Sequence, residues 1–420
     1  MKTKAVRLYG KNDLRMEEFE LPNIKDDEIL AKVISDSVCM STYKAAVQGS
    51  DHKRVPEDIH ENPIIVGHEF AGEIVEVGSK WRNKYSPGEK FAIQPNINYK
   101  GIGYAPGYSF PHFGGNATYI VIPGIVMEKG FLLDYEGDAF FKASLAEPMS
   151  CIIAAFHASY HTEDNGQIHN MGIVDGGNMA ILAGVGPMGM GAIDYALHCD
   201  RRPGLLVVTD IDEERLQRAK AIFTPEAALE DGIRLEYVNT RKRPDAENYI
   251  LSLTDGKGFD DVFVFAPVKE VVEMGDNLLG KDGCMNFFAG PVDPKFSALF
   301  NFYDVHYSST HIAGTSGGNT KNMIEALEVM GKGLVNPAVM VTHIGGLNSA
   351  AEATLNLPNI PGGKKLIYNN IEMELTAIDA MAAKGKTDPL FAKLAEIVGR
   401  NKGLWCAEAE KYLLENAERI

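Results

Sequence analysis

Residues 178–197, NMAILAGVGPMGMGAIDYAL, carry the plainest chemistry in this sequence. The apolar run 179–183 predicts a strand, the glycine-rich run 184–189 a tight turn, and the amphipathic run 190–197 a helix. In such a turn Gly184 permits the reversal, Gly186 lets the backbone approach a pyrophosphate, and Gly189 lets the helix pack against the strand. Pro187 and Met188 complete the loop, and free amides at the helix start face the ligand's negative charge. A second apolar run, 205–209, ends in Asp210, 21 positions after Gly189. A carboxylate there is placed to hold the ribose hydroxyls of NAD and to repel the 2′-phosphate of NADP. The plain alternative is a structural turn with a surface aspartate. Arg215, further on, is by default a surface charge.

The rest of the chain must position that turn and whatever it serves. A length of 420 residues exceeds what one core usually supports, so two domains are expected. The formal charge of -16 argues against nucleic acid or an anionic membrane as the main partner. It also means that an anionic substrate needs a local cationic pocket. Five cysteines, at 39, 151, 199, 284 and 406, lie far apart with no CxxC pair, which predicts free thiols and a reducing cytoplasm. No signal peptide is expected from the first residues, and no apolar stretch is long enough to span a bilayer.

Short β-prone runs dominate residues 1–35, a loop enters a helix near 37–46, and 49–62 reads as a charged surface loop. Strands are expected at 73–78 and 91–93, a Gly/Pro/aromatic loop covers 94–116, and strand character returns over 114–123. From 179 to 314 strands alternate with helical patterns, the sign of a parallel sheet wound with helices. Strand character returns at 339–343 and 365–368, and 371–420 reads as helical. One helix there starts at Asp388 and Pro389, with Leu390, Leu394, Ile397 and Val398 on one face.

The segments GHEFAGEIVEVG, PGEKFAI, GGNATYIVIP, AEPMSC, LAGVGPMG and TDID, in that order over residues 1–370, resemble the zinc-dependent medium-chain alcohol/polyol dehydrogenases. Within that family, SVCMSTYKAAVQGS and YAPGYSFPHFGGNATYI resemble the branch that interconverts L-sorbose 1-phosphate and D-glucitol 6-phosphate. The resemblance implies an α/β fold in which a doubly wound Rossmann domain is inserted into a β-rich, partly barrel-like (GroES-like) catalytic domain. The expected division is 1–152, 153–318 and 319–420, with a helical extension from about 371.

The family's catalytic zinc ligands fall on Cys39, His68 and Glu69, with Glu147 as an additional ligand or as a carboxylate that orients water. Singly, each has a bland reading: a small buried cysteine, a satisfied loop histidine, a solvated glutamate, an acid opening a helix. Relatives with a second, structural zinc hold it by four cysteines in the loop corresponding to 94–116. This chain has none there, so one zinc per chain is expected, with that lobe packed by Tyr99, Tyr104, Tyr108, Phe110 and Phe113.

The implied chemistry is hydride transfer between NAD(H) and a zinc-polarised carbonyl. Ser41 takes the first position of the family's proton relay, and Lys44 stands where relatives often have a histidine. Lys44 could relay protons, pair with a substrate phosphate, or be solvated. Arg54, His112, Lys364 and Lys365 are further cations for a phosphate, the last two equally a structural turn after Pro361-Gly362-Gly363. The family implies a homodimer or homotetramer. Competing readings are a free-polyol dehydrogenase of the sorbitol or threonine type and a non-catalytic, crystallin-like NAD-binding protein.

Overall fold

The computed structural model describes residues 1–97, 103–164 and 166–420; Tyr99 lies outside them. The chain divides into two units, residues 1–147, 319–331 and 341–420 forming one, 148–318 and 332–340 the other.

The inserted unit is built on six strands in the order Arg234–Asn239, Leu205–Asp210, Asn178–Leu182, Phe259–Val264, Leu279–Phe287, His311–Ala313. Every neighbouring pair is parallel. Numbered along the chain, that is the 3-2-1-4-5-6 order of a doubly wound dinucleotide fold. Helices cover both faces of such a sheet, so its central strands are continuous apolar runs rather than alternating ones. Leu206, Val207 and Val208 are fully buried, as are Val262, Phe263 and Val264.

The other unit carries an eight-stranded sheet and a three-stranded one. Its organising strand, Ile29–Val38, pairs antiparallel with Phe70–Val77, Tyr119–Ile122 and Lys364–Tyr368. Nine of its ten residues are buried, Lys32 alone being half-exposed, because neighbours press on it from all sides. The charged segment 49–62, expected as a surface loop, is anchored: Val55 and Ile59 are buried beside Ala105 and Tyr108. Burying each of those side chains contributes about 1.5–3 kcal/mol, enough to hold a polar loop down.

The extension packs on its own unit. Glu410 accepts hydrogen bonds from the amides of Phe140 and Phe141 and from the Tyr368 hydroxyl, to which the Trp405 indole also donates. The helix Pro389–Arg400 begins where expected, with the Asp388 carboxylate accepting from the Leu390 amide. Its buried face is Phe391, Leu394, Ile397 and Val398; Leu390, in the first turn, is only half-buried.

Candidate active site

Three adjacent strands bring the chemistry together. Cys39 follows the end of Ile29–Val38, Glu69 immediately precedes Phe70–Val77, and Lys364 opens Lys364–Tyr368. Both flanking strands run antiparallel to the central one, so its end and their beginnings meet at one edge. Gly67 makes the approach of His68 possible: with φ +92, any Cβ there would lie 2.7 Å from Asp36 Oδ2 and 2.9 Å from the Asn116 amide.

The result is a donor set of three chemical types. The Cys39 thiol, one His68 ring nitrogen and one Glu69 carboxylate oxygen all lie within 4.8 Å of one another. Sulfur, imidazole and carboxylate are the ligands zinc takes, and three of them leave a fourth position open. Thr42 Oγ1 lies 3.1 Å from His68 Nδ1, a contact that would leave Nε2 as the nitrogen for a metal.

The charges fit a dication. Burial pushes the Cys39 thiol up to about 12, with the Glu69 carboxylate adding to the effect. Burial also lowers His68 to about 4, so its ring is neutral and able to ligate. Glu69, almost wholly buried, would also be raised by burial, but the Lys364 ammonium holds it below the usual carboxylate range. The Lys364 nitrogen stands 2.5 and 2.6 Å from the two Glu69 oxygens. A carboxylate has about four lone-pair sites, so this ion pair leaves room for a metal on the same group. Behind them Asp36, buried and near Glu69, is raised well above the carboxylate range and accepts from Asn116 Nδ2 at 2.6 Å.

Lys364 is thus committed to an ion pair with Glu69, a carboxylate of the candidate metal site. Lys365 does belong to the turn, its ammonium donating to the carbonyls of Ile360, Pro361 and Gly363. His112 stands apart, its ring 6.2 Å from that of Phe19. Glu147 lies in the first turn of the helix Ala146–Ala158, and its charge raises Cys39, Tyr108 and Lys364. Ser41 is exposed in the first turn of the helix Met40–Gln48, which Cys39 caps, and its hydroxyl bonds that of Tyr108.

Tyr108 was the residue undervalued in the sequence. Phe113 packs in the core with Phe110 against it, as loop aromatics do. The Tyr108 hydroxyl instead stands 3.2 Å from His68 Nδ1 and its ring 5.0 Å from the His68 ring. Nothing in the spacing of YAPGYSFPHF distinguishes it from its aromatic neighbours.

In the inserted unit the expected strand, turn and helix are Asn178–Leu182, residues 183–186 and Pro187–His198, with Gly186 as N-cap and Pro187 in the first turn. The residue with positive φ is Ala183 (52°), not Gly184. Gly184 is required for space, since its Cβ would meet Ile181 Cγ2 at 2.5 Å. A Cβ on Gly189 would strike the Gly184 carbonyl oxygen at 2.1 Å, whereas one on Gly186 would meet nothing within 4 Å. That side of the turn is open space. Met188, in the first turn of the helix, is half-buried beside it. Asp210 ends its strand, one carboxylate oxygen accepting from the amides of Ile211 and Asp212 and the other 3.4 Å from the Val185 amide. Arg215 is half-exposed and ion-paired with Asp212 at 3.5 Å.

Comparison with known proteins shows the family. Residues 25–129 match the alcohol dehydrogenase GroES-like domain, and residues 187–332 match the zinc-binding dehydrogenase domain. Mannitol-1-phosphate 5-dehydrogenase of Aliivibrio fischeri is 53% identical over 98% of this chain and 97% of its own. L-sorbose 1-phosphate reductase of Klebsiella pneumoniae is 49% identical over 100% of this chain and 98% of its own. Among solved structures, 2R,3R-butanediol dehydrogenase of Bacillus subtilis superposes with a TM-score of 0.71 at 21% identity, over 88% of this chain and all of that one. The chain belongs to the zinc-dependent medium-chain alcohol/polyol dehydrogenases, and is an oxidoreductase of that class.

Proposed function

We propose that this enzyme interconverts a ketose phosphate and a polyol phosphate with NAD(H), the pair being L-sorbose 1-phosphate and D-glucitol 6-phosphate. The observation that carries it is the meeting of Cys39, His68 and Glu69, in a chain whose near full-length relatives are named for phosphorylated six-carbon substrates. When bound, one zinc per chain supplies a Lewis acid for the substrate oxygen and the nicotinamide supplies or takes the hydride.

The side chains do the rest. Cys39, His68 and Glu69 hold the metal, and Lys364 keeps Glu69 ionised. Ser41 Oγ, exposed and bonded to the Tyr108 hydroxyl, passes the proton to or from the substrate oxygen. Burial holds the Tyr108 hydroxyl protonated, so it serves as a donor in that pair. Lys44 stands three residues beyond Ser41 on the same helix face, where it can continue the relay. Glu147 supplies a carboxylate for water or metal at the helix start.

Gly184, Gly186, Pro187, Met188 and Gly189 form the pyrophosphate turn, and Asp210 selects NAD over NADP by charge. No helix among the described residues is long and apolar enough to cross a membrane, and the cysteines are free, which fits a cytoplasmic enzyme. A homodimer or homotetramer is the expected assembly. Its support is the exposed apolar surface at Leu299, Phe302, Tyr303, Tyr307 and Ile312, near or on the edge strand of the parallel sheet. Light scattering on the purified enzyme should give a multiple of the 45.9 kDa chain mass.

The Aliivibrio relative favours a second reading, oxidation of mannitol 1-phosphate at carbon 5. NADH oxidation with L-sorbose 1-phosphate, D-fructose 6-phosphate, free L-sorbose and free D-fructose separates the cases. Turnover on the first alone supports the main reading, and turnover on the second alone supports the other. Equal turnover on free sugars would place the chain among general polyol dehydrogenases.

A further inference from the structure

Arg54 is the half-buried cation at this site that has no carboxylate partner. It forms no ion pair among the described residues, and the residues outside them (98–102 and 165) include no acid that could supply one. In a chain of net charge -16 with 57 acidic residues, leaving a half-buried guanidinium unpaired needs a reason. Its position is built rather than incidental. Ser109 Oγ donates to the Arg54 carbonyl at 2.7 Å, and buried Val55 holds the next position. The guanidinium carbon lies 5.4 Å from the centroid of the Tyr108 ring, whose hydroxyl touches His68.

His52 shares that wall. Its ring stacks on Tyr108 at 5.5 Å and 13°, and its Nδ1 accepts from the Arg54 amide at 3.3 Å. The ring proton is therefore on Nε2, for which the described residues offer no partner. Burial lowers His52, and the charges that lower it further are all cationic: Arg54, Lys53 and Lys44.

The geometry points to Arg54, assisted by the Nε2 proton of His52, as the seat of the substrate's phosphate, one aromatic ring away from the metal ligand His68. The assignment rests on the ketose-phosphate reading and gives it the cationic pocket that reading requires. Guanidinium is suited to the task because its planar donors match two phosphate oxygens at once. Of the other cations open in the sequence, Lys364 and Lys365 are already committed, the His112 ring lies by Phe19, and Lys44, which acts on His52, is assigned to the relay.

The test compares wild-type, Arg54→Lys and Arg54→Gln zinc-loaded enzymes. Each is assayed with NADH and whichever of L-sorbose 1-phosphate and D-fructose 6-phosphate the wild type reduces, alongside the free ketose. Competitive inhibition by inorganic phosphate is measured in parallel. The expected result is that Arg54→Gln raises KM for the phosphorylated ketose at least tenfold and weakens phosphate inhibition equally, with Arg54→Lys between. The thermal transition and the rate on free ketose should stay as in wild type. A wild type indifferent to the phosphate would overturn the substrate reading and this assignment with it. A wild type that requires the phosphate, with Arg54→Gln unchanged in KM and inhibition, would overturn this assignment alone. If Arg54→Gln does not fold, the Arg54→Lys inhibition constant decides: one equal to wild type overturns the assignment, and a weaker one supports it.

Discussion

Charge is held in opposite ways in the two units. At the glycine turn the protein offers backbone amides and open space, and the Asp210 side chain sits at the strand end accepting from the amides of Ile211 and Asp212. At Cys39, His68 and Glu69 the charge is on buried side chains, balanced by Lys364 and set against Asp36. An amide cradle costs little when no ligand is bound, because exposed amides can bond water. A buried carboxylate has no such resort, and removing its partner exposes the full desolvation cost. Substitutions in the two units should therefore fail differently, one through lost cofactor binding and the other through lost chemistry or lost stability.

The largest contrast comes from Cys39→Ser. Losing a soft ligand should lower turnover by roughly a thousandfold or more, since a metal Lewis acid supplies several kcal/mol to the transition state. Zinc content should fall while NADH binding, followed by fluorescence, stays as in wild type; loss of both would erase the division between the units.

Lys364→Met leaves Glu69 buried without its cation. The metal-free protein should lose about 3–5 kcal/mol of stability in denaturant unfolding. With zinc present the loss should be smaller, because the metal takes over the neutralisation. Equal losses in both states would mean that Glu69 is not at the metal.

Gly189→Ala tests the other unit. The new methyl meets the Gly184 oxygen, so about 1–3 kcal/mol of stability and most NADH affinity should go, while zinc content is untouched. Asp210→Ser should move the NADH/NADPH preference by roughly tenfold toward NADPH, about 1.4 kcal/mol. An unmoved ratio would assign cofactor choice to another group.

The smallest effect is a pH dependence. Burial alone would lower His161, but the Asp261 carboxylate 3.2 Å away and the Asp282 carbonyl outweigh it and raise the ring above its ordinary value. A raised histidine gives its full stabilisation below the unfolded value of about 6.5 and loses it as pH rises through the folded one. Between about pH 6 and about pH 8.5 the contribution of His161 should fall by under about 1 kcal/mol, read as the difference between wild type and His161→Gln over that range. By contrast His68 is lowered to about 4, so it contributes a slope of opposite sign, stability rising with pH until the unfolded value of about 6.5 is passed.

How much could be read in advance follows the same division. Gly184 to Gly189 and Asp210 lie within one strand–turn–helix–strand stretch, so spacing alone identifies them. The parallel, doubly wound sheet was legible for the same reason: its strands are apolar runs separated by helical periodicity. Cys39, His68 and Glu69 were reachable only through likeness to a family, because nothing local makes a cysteine before a helix a ligand.

The contacts that Lys364 and Tyr108 make at the site were not legible, although both residues stood out by type. Lys364 is 295 positions from Glu69 in the chain, and the two meet because antiparallel pairing aligns one strand's end with its neighbours' beginnings. Tyr108 is one of several aromatics in its loop, and only the fold decides which of them turns its hydroxyl to His68. The sequence by itself determined the elements, the dinucleotide turn and the kinds of ligand available. The tertiary structure decided which buried charges face each other, since that depends on strand register and burial, and neither is a property of neighbouring residues.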